Sequence, residues 1–262
     1  MVRYLKIILY YGFLVVPFFS LVGQDGVLPP GDLIQSRIDI PGNIIMGVKL
    51  GANLSGILVT HDPKDTYTQS PETEPVPGMN VSFGAEILIN QEISLFADLQ
   101  YINFITKYRI ATGKYHDVFE ENNRMVSIPA GIYYHLGNSG VKYYPLAGLA
   151  INYLFLSDLD YQYHPFPDDS PYVQTGKINN TFDKNRIHFD GIIGLGFRYQ
   201  FRAYFFSLEL TYRHGLRNYK NTTELKTMQI YSGLDPPFSY QSPGYRTHLL
   251  MVNLLIQKPG IR

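Results

Sequence analysis

The amino-acid sequence predicts an all-β chain: an eight-stranded antiparallel up-and-down transmembrane β-barrel behind a short N-terminal signal segment. Three observations predict it. Eight segments alternate apolar and polar side chains with a period of two, the period of a strand with two unlike faces. Several of these segments are long enough to cross a bilayer as tilted strands, which takes roughly 9 to 11 residues. The connections between them run long, short, long, short, long, short, long. In a meander that order gathers the short turns at one end with both termini, as in bacterial outer-membrane barrels.

Residues 1–23 have the plan of an export signal. Arg3 and Lys6 precede an apolar run from Ile7 to Val22, and small or polar residues follow at Gly23 and Gln24. The run contains Pro17 and is short for a helical span, which wants roughly 20 apolar residues. A Gly- and Pro-containing lead, expected to be periplasmic, occupies residues 24–43, and the barrel is assigned to 44–258.

The first segment, 44–59, carries Met46, Val48, Leu50, Ala52 and Leu54 on one face, with Lys49, Gly51, Asn53 and Ser55 on the other. In the second, "NVSFGAEILI", Val81, Phe83, Ala85, Ile87 and Ile89 oppose Asn80, Ser82, Gly84 and Glu86. The third, from Ile93, sets Leu95, Ala97, Leu99 and Tyr101 against Ser94, Phe96, Asp98 and Gln100. Pro129 weakens the fourth, "MVSIPAGIYYHL", because proline cannot donate to a ladder and is normally confined to edges, strand starts or bulges. The fifth opposes Leu149, Ile151, Tyr153 and Phe155 to Gly148, Ala150 and Asn152. The sixth opposes Ile187, Phe189, Ile193, Leu195, Phe197 and Tyr199 to His188, Asp190, Gly194, Gly196 and Arg198. The seventh opposes Phe206, Leu208, Leu210 and Tyr212 to Ser207, Glu209, Thr211 and Arg213. In the eighth, Leu250, Val252, Leu254 and Ile256 share a face, and the other face is mixed: Thr247, Leu249, Met251, Asn253 and Leu255.

A soluble sheet turns its polar face to water and fills it with Lys, Glu and Thr. Here the polar faces carry glycines and isolated charges, and the apolar faces carry almost no charge. The apolar face is therefore expected to meet lipid, and the polar face to point into a narrow lumen where glycine makes room. That phase places Lys49, Lys142, Arg198 and Arg213 inside with Glu86, Asp98, Asp190 and Glu209. Four cations and four carboxylates are expected to pair and plug an eight-stranded interior, which is just wide enough for side chains to fill. Aromatic pairs where the apolar bands end suggest interfacial girdles: Tyr101/Phe104, Tyr133/Tyr134, Tyr143/Tyr144, Tyr153/Phe155, Tyr199/Phe201 and Tyr204/Phe205.

Composition excludes several functions. The chain has no Cys, which removes disulfides, thiol catalysis and thiolate zinc sites. Its 22 basic and 22 acidic residues balance, so no nucleic-acid partner is expected. "GIIGLG" (191–196) lacks the dinucleotide spacing and lies within a strand. His188, Asp190 and Ser207, with His135 and His214 near strand ends, are the residues from which a lipid hydrolase would have to be built. His61-Asp62, "DPKD" and "PDDS" (167–170) could hold a cation, although loop acids are usually just solvated, and Asn179-Asn180-Thr181 matches a glycosylation acceptor. No cofactor is expected.

"VSIPAGIYYHLGNSGVKYYPLAGLAINYLF" and "GLGFRYQFRAYFFSLELTYRHGLRN" resemble the PorT-like outer-membrane barrels of the Bacteroidetes. The first stretch supplies an "IP" strand, Ile128-Pro129, aromatic residues Tyr133-Tyr134, a tight turn, and Pro145 to Ile151. The resemblance covers residues 44–258 and implies an eight-stranded barrel in a bacterial outer membrane, the founding member being tied to type IX secretion and gliding. The ending "LLIQKPGIR" departs from the aromatic residue such barrels usually carry after the last strand. The expected role is a non-enzymatic envelope component, an accessory of type IX secretion or another envelope assembly, with long extracellular loops for partner contact and with outer-membrane lipid and envelope or secretion proteins as partners. A narrow channel or small-ligand carrier and a lipid hydrolase are the alternatives.

Overall fold

The computed structural model describes residues 44–61, 72–112, 115–137, 140–164, 173–201, 203–219, 228–230, 238–240 and 244–259. The signal (1–23), the lead (24–43) and the "DPKD" and "PDDS" loops lie outside them. Five long strands come first: β1 (Ile44–His61), β2 (Glu72–Leu88), β3 (Ile93–Thr112), β4 (Tyr115–Tyr134) and β5 (Val141–Tyr163). A short β6 (Gln174–Asn179) and a 3-10 turn (Thr181–Asp183) precede β7 (Ile187–Phe201) and β8 (Tyr204–Gly215). Two short strands, β9 (Met228–Ile230) and β10 (Phe238–Tyr240), form a separate hairpin before β11 (Gly244–Pro259).

Eight strands close a ring of antiparallel neighbours, in the order β1–β2–β3–β4–β5–β7–β8–β11 and back to β1. Closure leaves the ring without an unpaired edge, which is what allows a sheet to stand in hydrocarbon. A ninth strand, β6, joins the outer half of β5, from Asp158↔Asn179 to Tyr163↔Gln174. The short turns follow β2, β4 and β7. The turn between β4 and β5 uses Gly137 and Gly140 at φ 107° and 91°, a region glycine enters without steric cost.

The strands run further than alternation indicates. β3 and β4 pair from Ile93↔Tyr134 to Thr112↔Tyr115, so the expected long loop between the third and fourth segments is mostly hairpin. Pro129 sits inside β4, paired with Ala150 of β5, and not at an edge or bulge. The β3–β4 ladder skips the two positions opposite Asp98 and Leu99 there and resumes in the same register, so the ladder absorbs the missing N–H. β5 does contain a bulge: Arg124 pairs with Leu156 while Met125 pairs with Leu154, leaving Phe155 as the extra residue. The inward set is Ala150, Asn152 and Leu154 before it, and Ser157, Leu159 and Tyr161 after it.

Side-chain polarity divides the wall into two levels. In the lower level the outward residues are apolar and exposed, among them Leu50 (60 %), Leu99 (59 %), Leu149 (63 %), Leu195 (63 %) and Leu254 (64 %). Their inward neighbours Lys49, Asp98, Arg198, Glu209 and Asn253 are buried. Above this belt the same strands reverse. Outward positions on β3 and β4 become Asn103, Lys107, Arg109, Glu120, Asn122 and Arg124, and the inward ones become Phe104, Tyr108, Phe119 and Met125. The latter pack into two apolar clusters, one of Ile102, Phe104, Met125, Leu154, Tyr219, Tyr245, Leu249 and Met251, the other of Tyr108, Phe119, Leu159 and Tyr161. We call this upper level the crown.

Four of the six aromatic pairs split across the wall, while Tyr153/Phe155 and Tyr199/Phe201 stay together on the outside. Tyr134, Tyr143, Tyr153, Phe155, Tyr199, Phe201 and Tyr204 are exposed at the belt margins, but Phe104, Tyr133, Tyr144 and Phe205 point inward and are buried. Adjacent strand residues face opposite sides, so a sequential pair cannot both lie in a girdle.

Candidate functional site: the charged lumen

Of the residues assigned to the lumen, Lys49, Glu86, Asp98, Asp190, Arg198, Glu209 and Arg213 are buried within the ring. Lys142 stands apart: it is half-buried at the short-turn end, where its Nζ donates to the Gln91 carbonyl at 3.4 Å. The ladder brings the others together from distant strands.

One cluster is built on Lys49 of β1. Its Nζ lies 2.8 Å from Asp98 of β3 and 3.4 Å from Glu209 of β8, and donates to the Tyr133 hydroxyl at 2.9 Å. Tyr133 and Tyr144 in turn donate to Glu209 Oε1 at 3.0 and 2.9 Å. The ammonium also sits 5.4 Å from the Phe96 ring centroid. A second cluster is built on Glu86 of β2, which takes both guanidinium nitrogens of Arg198 at 3.1 and 2.6 Å. Ser94 donates to Glu86 Oε1 at 2.7 Å, Gln257 donates to Oε2 at 3.4 Å, and Arg198 Nε donates to Ser207 Oγ at 3.3 Å. Arg213 donates to Ser127 Oγ at 3.0 Å and to Gln100 Oε1, with Asp190 and Asp98 as its charged neighbours.

With Lys142 outside, four carboxylates face three cations in this lumen. Neutral donors add to them: phenols on Glu209, and a hydroxyl and an amide on Glu86, with the His135 ring 3.1 Å from the same carboxylate. Buried charges persist where such bonds satisfy them. Glycine provides the room, since a Cβ at Gly84 would overlap the Asp98 carboxylate and one at Gly196 the Tyr144 ring. The space left among Lys49, Asp98, Glu209 and Arg213 is a cavity of about 20 Å³, enough for roughly one water.

A third buried pair, higher in the wall, has no alternation signal in the sequence. Lys184, just after the 3-10 turn, places Nζ 2.7 Å from both oxygens of Glu121 on β4, and both side chains are fully buried. Tyr245 on β11 and Asn180 also donate to Glu121, and Lys184 donates to the Tyr245 hydroxyl at 3.1 Å. This latch ties the β6–β7 connection to the wall. Two facts hid it: Glu121 lies in a stretch polar on both faces, and Lys184 lies in a loop.

His188 and Ser207, two residues from which a hydrolase would be built, do not come together. His188 and Ser207 are inward, but Ser207 bonds Arg198, which pairs with it across β7 and β8 and is ten residues from His188 along β7. At ~3.3 Å per residue that is roughly 30 Å. His188 lies against the Tyr219 ring at 4.5 Å, and neither of its ring nitrogens has a hydrogen-bond partner. Ser94, His135 and Glu86 do touch one another, at 2.7 to 3.1 Å. A nucleophile relay needs a histidine that bonds the hydroxyl with one nitrogen and the acid with the other. Here both contacts fall on Nε2, Nδ1 has no partner, and Arg198 holds the acid. Among the described residues no group of three His, Asp or Glu converges as a metal site.

A closed ring with a continuous apolar exterior and a hydrogen-bonded polar interior meets the conditions for standing in hydrocarbon. The wall is that of an outer-membrane barrel. Solved barrels of that kind are similar in fold. Neisserial surface protein A aligns at 12 % identity over 82 % of this chain and 97 % of its own, with a TM-score of 0.39. OprG of Pseudomonas aeruginosa aligns at 10 % over 84 % and 97 %, with 0.44, and Ail of Yersinia pestis at 10 % over 82 % and 99 %, with 0.37. No family model matches the chain, and no curated protein matches it.

Proposed function

We propose that this barrel is a non-enzymatic component of the bacterial outer membrane that presents its crown to a protein partner, as an accessory of type IX secretion or another envelope assembly. The observation that carries this reading is the contrast between a lumen filled with paired side chains and a crown held up as ordered strand. The space left in the charged cluster, enough for roughly one water, supports a plugged lumen over an open channel. The crown spends strand, an apolar core and the Lys184–Glu121 latch on shaping a surface beyond the belt. That surface carries charges of both signs, such as Glu74 bridged to Lys107 at 3.1 Å and to Arg109 at 2.8 Å. The PorT-like stretches in β4, β5, β7 and β8 support the secretion branch.

Two measurements test it. The folded protein in planar bilayers is expected to show no conductance, and steady ion current would favour the narrow-channel reading. Crosslinking in cells through residues placed at Lys107 and Glu120 is expected to capture envelope proteins. Capture that is equally strong from belt positions such as Leu254 would count against a crown-specific partner.

A further inference from the structure

On the outer wall, at the upper margin of the belt, two histidines face each other across neighbouring strands. His214 of β8 and His248 of β11 are a register pair. Their Nδ1 atoms are 3.3 Å apart, their ring centroids 4.7 Å, and the Tyr212 hydroxyl is bonded to His248 Nδ1. Both rings are half-buried. Along the outward row of β11, His248 stands just above Leu250, Val252, Leu254 and Ile256 and just below Arg246, whose Nε turns to the Asn218 side chain at 3.4 Å.

The strands on either side leave this pair uncovered. His248 is opposite Gly56 on β1, and His214 is opposite Gly191 on β7. One row across four strands therefore reads Gly, His, His, Gly. A Cβ at Gly56 would meet nothing within 4 Å, and one at Gly191 would touch only Leu216, at 3.9 Å. Most outward positions of the belt carry larger side chains, with alanines such as Ala52 and Ala97 among them, and the two flanking glycines leave open space on either side of the imidazoles.

The spacing suits chelation. Two imidazole nitrogens bound tetrahedrally at ~2.0–2.1 Å from one zinc ion lie roughly 3.3 Å apart. A square-planar ion would draw them to roughly 2.8 Å, so the geometry favours zinc over a tetragonal metal. The Tyr212 phenol, bonded to His248 Nδ1, supplies an oxygen beside the pair as a third donor. We propose that His214 and His248 form a zinc site on the outer wall of the barrel, clasping β8 to β11 at the outer interface, with Tyr212 and water completing the tetrahedron.

The test uses the full, untagged barrel folded in detergent micelles and titrated with Zn²⁺ by calorimetry, with Co²⁺ as a spectroscopic probe. One ion per chain is expected, with the intense visible absorption of tetrahedral cobalt, and zinc is expected to raise the thermal midpoint. His214→Ala and His248→Ala should each abolish the absorption and the midpoint shift. His116→Ala, on the exposed side of β4, should leave both unchanged. Retained heat-modifiability on gels shows that each variant is folded, because both histidines lie on the outer face. Absence of binding in the parent protein overturns the proposal, as does binding that survives both histidine substitutions.

Discussion

The belt and the crown share strands, register and ring, yet they turn opposite faces to the outside. In the belt, β3 points Leu95, Ala97, Leu99 and Tyr101 outward and Ser94, Asp98 and Gln100 inward; higher up it points Asn103, Lys107 and Arg109 outward and Phe104 and Tyr108 inward. The backbone is the same throughout, so the environment outside the wall sets the pattern. Where hydrocarbon bathes the wall, polar groups are driven into the lumen and must be paired there. Where water bathes it, the ordinary rule of an apolar centre returns.

The largest effect is expected from breaking a buried pair in the belt. Glu86→Ala strands the Arg198 guanidinium in the lumen, and removing one partner of a buried ion pair costs about 3–5 kcal/mol. Urea unfolding in lipid vesicles should show that loss, and a change under 1 kcal/mol would mean the lumen is more open to water than its packing indicates. A charge on the outer face comes next. Leu254→Arg should cost about 2–4 kcal/mol, as an Arg at the mid-plane of a lipid-facing strand does. Asn103→Arg on the crown should stay within about 0.5 kcal/mol. Equal costs at the two positions would erase the boundary between the levels.

In the crown, Lys184→Met removes the latch but leaves Glu121 the Tyr245 phenol and Asn180 amide. The expected cost is about 1.5–3 kcal/mol, the scale of hydrogen bonds to a charged group. Protease cleavage within 173–186 should rise with it. Lys107→Ala should also cost little, because its partner Glu74 is a third exposed and such pairs contribute under about 1 kcal/mol.

How much of this was legible in the sequence follows the same division. Belt alternation marked the eight ring strands and the inward phase of Lys49, Glu86, Asp98, Asp190, Arg198, Glu209 and Arg213, because lipid on one side and a packed lumen on the other make the two faces differ sharply. Lys142 shares that phase but sits too near the short-turn rim to join the network. The crown halves of β4 and β5 were hidden, since a stretch such as "EENNR" is polar on both faces. There Glu121 and Asn123 are inward but satisfied by Lys184, Tyr245, Asn180 and Ser157, partners distant in sequence. Residue type alone puts Tyr133 and Tyr144 in a girdle, but strand phase turns both into the lumen.

The most direct test of the two-level wall is a spin-label scan of β11. The chain has no Cys, so each introduced thiol is unique. Labels at 250, 252, 254 and 256 should collide with dissolved oxygen and be shielded from a water-soluble nickel chelate. A label at 246 should show the reverse, and labels at 251, 253 and 255 should be shielded from both. Free access of the nickel chelate to 250–256, or shielding of those four positions from both probes, would contradict a wall that faces lipid.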